Sequence, residues 1–209
     1  MKSIWLRLPA LALVLPLAWA ASPAGKVETT GACTLPSVSD AMRSELAPAG
    51  VRVVTDSGPL CEVWLRKSIP QKSAGKDYGT IAPGTFVGVI NYLSNGGDFR
   101  GQSVKKGAYV MRYINIPSDG NHLGVSPNPE FFILSPPGDD KDPKAMPVFD
   151  EMVRMSKLAA GTNHPHPLLL DPPKGTAPAW RMTDDGHGVL ETKAGDLPVA
   201  ITLIGKAEG

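Results

Sequence analysis

Gly107–Pro136 reads GAYVMRYINIPSDGNHLGVSPNPEFFILSP, and its alternation decides the fold. Along an extended chain, Tyr109, Met111, Tyr113 and Asn115 fall on one face and Val110, Arg112, Ile114 and Ile116 on the other, because strand side chains alternate with period two. Aromatic and β-branched residues suit a pleated surface, and apolar groups on both faces require cover on both sides. Phe131-Phe132-Ile133-Leu134 is a shorter, continuously apolar run, as in a strand packed into a sandwich core. Between the two runs, Pro117-Ser118-Asp119-Gly120-Asn121-His122 and Ser126-Pro127-Asn128-Pro129 are dense in turn formers. This connection is longer than a hairpin needs, and loops of that kind often carry function.

The same reading extends outward. Val51–Thr55 and Leu60–Lys67 form a predicted hairpin across Asp56-Ser57-Gly58-Pro59. Thr85–Leu93 is a predicted strand in which Gly88 marks a bulge or a close approach, and Asp98–Val104 a predicted edge strand. Ser39–Ala47 is expected to be a short helix capped by Ser39. Pro147–Ala160 is the one long helix expected, with Pro147 at its first position and Gly161 at its exit. Phe149, Met152, Val153 and Ser156 form its inward face, with Leu158 and Ala159 near it. Leu168–Leu170, Ala177–Thr183, Gly188–Thr192 and Leu197–Gly205 complete the strands, the middle pair as a hairpin around Asp184–His187. Short turns between successive strands predict an antiparallel meander. With 22 Gly and 21 Pro, the expected class is all-β: a single antiparallel β-sandwich, immunoglobulin- or jelly-roll-like, over residues 31–209 with one inserted α-helix.

Residues 1–20 read as a signal peptide. Lys2 and Arg7 precede the apolar Leu8–Leu17, and Ala18-Trp19-Ala20 matches a small-x-small cleavage site. The expected mature chain begins near Ala21 with a flexible lead-in over 21–30, and its location is periplasmic or secreted. The apolar stretch is too short for a comfortable membrane span. A formal net charge of +1 without a basic stripe argues against nucleic acid. In an oxidising compartment, Cys33 and Cys61 are expected to form a disulfide tying the N-terminal segment to an early strand, the alternative being two separate buried thiols.

The pattern from Lys106 to Tyr113 (KGAYVMRY), followed by Asp119-Gly120-Asn121-His122, a helix and Gly161-Thr162-Asn163-His164-Pro165, resembles an uncharacterised family of exported bacterial β-sandwich proteins. That resemblance implies a fold and no established activity.

All four histidines, at 122, 164, 166 and 187, lie outside confident strands. Imidazole is a common transition-metal ligand, so His122, His164 and His166, with Glu130 or Asp119 supplying a carboxylate, form a candidate site for zinc or copper. Pro165 and Pro167 weaken the pairing of His164 with His166, because polyproline II geometry splays positions two apart. Asp119, Asn121, Asn163 and Arg112 are candidate ligand-binding residues, Arg112 for an anion or a carbohydrate. Trp64 and Trp180 could stack on a sugar, although buried tryptophans are commoner in sandwiches. No nucleophile elbow, phosphate loop, zinc-protease helix or dinucleotide fingerprint is present. The sequence therefore supports a non-enzymatic binding or accessory module without a cofactor, with a protein or carbohydrate partner in the envelope. The alternative is a metal-dependent, hydrolytic site built on the loop histidines.

Overall fold

A computed structural model of the chain describes residues 25–75, 77–117, 126–175 and 177–206. The strands are β1 (Gly25–Thr30), β2 (Gly50–Thr55), β3 (Gly58–Leu65), β4 (Phe86–Tyr92), β5 (Gly96–Gly97), β6 (Ser103–Val104), β7 (Gly107–Asn115), β8 (Glu130–Ser135), β9 (Pro167–Asp171), β10 (Ala179–Met182), β11 (Gly188–Ala194) and β12 (Leu197–Ile204). Two α-helices accompany them, α1 (Asp40–Glu45) and α2 (Phe149–Ala160). The all-β expectation holds. Ten strands form one antiparallel sheet in the order β1-β2-β3-β4-β7-β8-β9-β12-β11-β10, and β5 pairs with β6 alone.

The meander runs as expected through β9 and then breaks. Between β9 and β10 the chain carries Pro172, Pro173 and Pro178, which cannot donate to a ladder. This connector passes the places of β12 and β11, and the last three strands fill in backwards from the far edge. Glu191 on β11 holds the connector, accepting from the Lys174 and Gly175 N–H groups and from Arg181 Nε. The sheet is nearly barrel-shaped, because its edges β1 and β10 meet. At Gly25 a β-carbon would stand 2.3 Å from the Trp180 ring.

The faces of β7 divide as its alternation predicts. Tyr109, Met111 and Tyr113 enter a central core with Val53, Cys61 and Val63 from one flank and Leu170, Leu190, Val199 and Ile201 from the other. Val110 and Ile114 belong to two outer clusters instead. Residues 33–46, including α1, cover Trp64, Phe86, Val89 and Val110. Helix α2 covers Ile114, Phe131, Ile133 and Leu169. Gly88 makes the close approach anticipated for it, since a β-carbon there would lie 2.4 Å from the Trp64 carbonyl oxygen. The β4–β7 register shifts between Phe86 and Gly88, so that Phe86 and Val89 both face outward while Val87 and Ile90 face the core. Ser39 caps α1 by accepting from Met42 N–H, and Gly161 ends α2 at φ 64°.

Several expectations are corrected. Residues 25–30, assigned to a flexible lead-in, form β1 and pair with β2 from Gly25↔Thr55 to Thr30↔Gly50. Cys33 and Cys61 are not disulfide-bonded; both are buried free thiols. Cys61 points with Val63 into the central core, whereas Cys33 lies with Trp64 on the opposite face of the sheet. Asp98–Val104 is not an edge strand, for only Ser103 and Val104 pair, with Gly96 and Gly97. On α2, Met155 is buried and Leu158 is 57% exposed.

Candidate functional site

An apolar groove runs between α2 and the outer face of the sheet. Alternation along β7 and β8 turns Ile114, Phe131 and Ile133 outward as its floor. Phe149, Val153 and Lys157, four residues apart along α2, form a stripe on one wall, as side chains at that spacing share a helix face. Phe99 and Arg100 from the β5–β6 loop, Ile116 just beyond β7, and Asn163, His164, Pro165 and Pro167 from the approach to β9 complete the lining. The cavity measures about 310 Å³, at the low end of the range for small-molecule sites.

The β5–β6 loop is held from within. Asp98 is wholly buried. Its Oδ1 accepts from the backbone N–H groups of Arg100 and Gln102, both at 3.0 Å, and its Oδ2 lies 3.3 Å from His166 Nδ1. Gln102 Nε2 approaches the same ring nitrogen at 2.9 Å. The backbone N–H of His166 donates to Ser156 Oγ on α2, so one histidine joins the loop, the helix and β9. Phe99 N–H donates to the Pro167 carbonyl, and its ring packs edge-on against Phe131 with centroids 5.9 Å apart. The loop thereby places an aromatic ring on the groove floor and a guanidinium at its lip.

Of the sequence-predicted residues, Asn163 and His164 lie at this groove, His164 exposed. His166, two positions on, points inward to Asp98, which is the splay that Pro165 and Pro167 favour. Glu130 lines a separate cavity with Asp77, Tyr78 and Asn128. Burial pushes the Tyr78 phenol up from its ordinary value, and its hydroxyl donates to the Asp171 carbonyl while accepting from Ala200 N–H. His164, His166 and Glu130 are therefore not brought together, and no group of three metal-binding side chains occurs among the described residues. Asp119, Asn121 and His122 lie outside the described residues. His187 is buried against Phe99, with ring centroids 5.5 Å apart. Trp64 and Trp180 form no stacking platform. Trp64 is buried and donates to the Gly31 carbonyl, and Trp180 fills the seam beside Gly25.

Arg112, the candidate for an anion or a carbohydrate, is 1% exposed. Its Nε and Nη2 hold both oxygens of Asp140 at 2.7 and 2.6 Å. Its remaining N–H groups meet the carbonyls of Gly84, Ala145 and Asp142, and Ser135 Oγ donates to Asp140. All five guanidinium donors are engaged, so none is left for an anion or a sugar. Arg112 instead ties the segment before α2 to the sheet.

Comparison with protein families, curated proteins and solved structures returns no match, and so none bears on the resemblance to exported proteins. No helix among the described residues is long and apolar enough to cross a membrane. Sequence reasoning missed Asp98, Phe99, Arg100 and Lys157. The signal for the first three was Gly96-Gly97-Asp98-Phe99-Arg100-Gly101, an acidic anchor flanked by glycines that a strand would not favour. Lys157 was legible only as the continuation of the Phe149–Val153 stripe.

Proposed function

We propose that this is an exported, non-enzymatic binding protein that takes the apolar part of a small ligand in the groove beneath α2. One observation carries this reading. Phe99, Ile114, Phe131 and Ile133 are packed into a buried floor, while Phe149, Val153 and Pro167 leave the cavity above them open. An apolar group entering there meets a preformed surface and orders little of the protein on binding. Export, with cleavage near Ala20, and the likeness to exported β-sandwich proteins belong to the same reading. So does a two-layer, sandwich-like arrangement, supported by the meeting of β2–β4 with β9–β12 in one central core. The test is the fluorescence of an environment-sensitive apolar dye with the wild type and with Val153→Trp, which fills the groove from its helix wall. The dye is expected to brighten with the wild type and not with a variant of unchanged circular dichroism. Equal binding by both proteins would place the dye elsewhere and refute the groove as the site.

A further inference from the structure

We infer that the ligand of this groove is a single-chain aliphatic carboxylate, its chain lying on the phenylalanines and its head group held at Arg100 and Lys157. The inference rests on the groove being the binding site and adds the chemical class of what binds. Charge is the first argument. Arg100, Lys157 and His164 line the cavity, and no Asp or Glu is among its described lining residues. Elsewhere Arg43, Arg52, Arg66, Arg112 and Arg181 are each ion-paired with a carboxylate of the chain. Among the described residues Arg100, like Arg154, and Lys157, like most of the surface lysines, have no such partner, but Arg100 and Lys157 are the two that line this apolar groove. Arg100 offers one weak contact, from Nη2 to the Pro165 carbonyl at 3.3 Å, and keeps the rest of its fork for a ligand.

Preorganisation is the second argument. The Arg100 backbone is fixed by wholly buried Asp98, so the guanidinium hangs from an anchored turn. A planar guanidinium matches a carboxylate through parallel N–H···O bonds, and such charge-assisted pairs are stronger than neutral ones. Shape is the third. Phe149, Val153 and Lys157 descend one helix face over eight residues, about 12 Å at the rise of an α-helix, with Phe149 at one end, Val153 midway and the ammonium at the other. A cavity of about 310 Å³ suits one chain of medium length rather than a two-chain lipid.

The experiment compares decanoate, decanol and decyltrimethylammonium by displacement of the apolar dye, at low and high salt. Decanoate is expected to bind about tenfold more tightly than decanol at low salt. Added salt should erode that advantage, since exposed charges are screened. The Arg100→Gln, Lys157→Gln double variant should lose the preference for decanoate over decanol. If decanol or the ammonium compound binds the wild type as tightly as decanoate, the head-group inference fails while the groove stands. If the double variant keeps the preference for decanoate, the head group is held elsewhere and the inference also fails. If neither the dye nor any of the three binds, the groove reading falls with it.

Discussion

Asp98 and Arg112 show how buried charge is handled one residue at a time. Arg112 is a closed account, every donor matched, and it fastens the segment before α2 to β7. Asp98 instead shapes a loop. Its Oδ1 gathers two backbone N–H groups, and its Oδ2 faces His166. Removing the carboxylate strands those donors, and each buried unsatisfied group costs about 1–3 kcal/mol. Asp98→Ala is therefore expected to destabilise the protein by about 2–4 kcal/mol and to abolish dye binding, because Phe99 and Arg100 lose their anchor. Asp98→Asn keeps a carbonyl acceptor for both backbone groups and should retain most of the stability. Urea denaturation of the three proteins checks this. Equal losses in the two variants would mean that the interaction with His166, not the turn, is what matters.

At the scale of elements, the period-two pattern carried the furthest. Both faces of β7 were legible because apolar residues lie on each, and each proved buried, one centrally and one with Val110 beneath the α1 segment and Ile114 beneath α2. The β2–β3 and β10–β11 hairpins were legible from their turn residues, and Ser39 and Gly161 from capping chemistry. What failed was whatever depends on which elements meet. Leu158 fell beside the inward face by spacing, but α2 buries a stripe through Met152, Met155, Ser156 and Ala160 and leaves Leu158 in solvent. The disulfide failed for a similar reason: two cysteines in one chain say nothing about the face on which each will lie. Cys61 sits in the core while Cys33 packs with Trp64 outside it, and burial pushes both thiols up from their ordinary value. Protein prepared without reductant should accordingly take up two alkylating groups per chain when unfolded, and few while native at neutral pH. Intact mass measures both states. Failure to alkylate the unfolded, unreduced chain would show that the cysteines are linked after all.

For the molecule as a whole, the feature least accessible to sequence was the meeting of the sheet's two edges. It depends on Gly25, which composition placed in a loose lead-in, and on a proline-rich connector that carries β10 past two strand positions to reach it. Trp180 stands at the seam. A β-carbon on Gly25 would come within 2.3 Å of its ring and one on Gly188 within 2.5 Å, so bare backbone on both sides makes room for the indole. Its Nε1 is buried without a partner among the described residues, a cost of about 1–3 kcal/mol set against the apolar area the ring covers. Edge strands left open invite pairing with other chains, and the indole shields both edges at once. Gly25→Val forces a branched side chain into the ring, and such overpacking costs about 1–3 kcal/mol. The expected result is faster amide exchange in β1 and β10 together, with β4 and β7 still protected, because the central strands keep both ladder neighbours. Hydrogen exchange read by mass spectrometry resolves these segments. Loss of protection in β1 with β10 unchanged would mean that the edges are independent, and that the sheet is held in its curve by the central core alone.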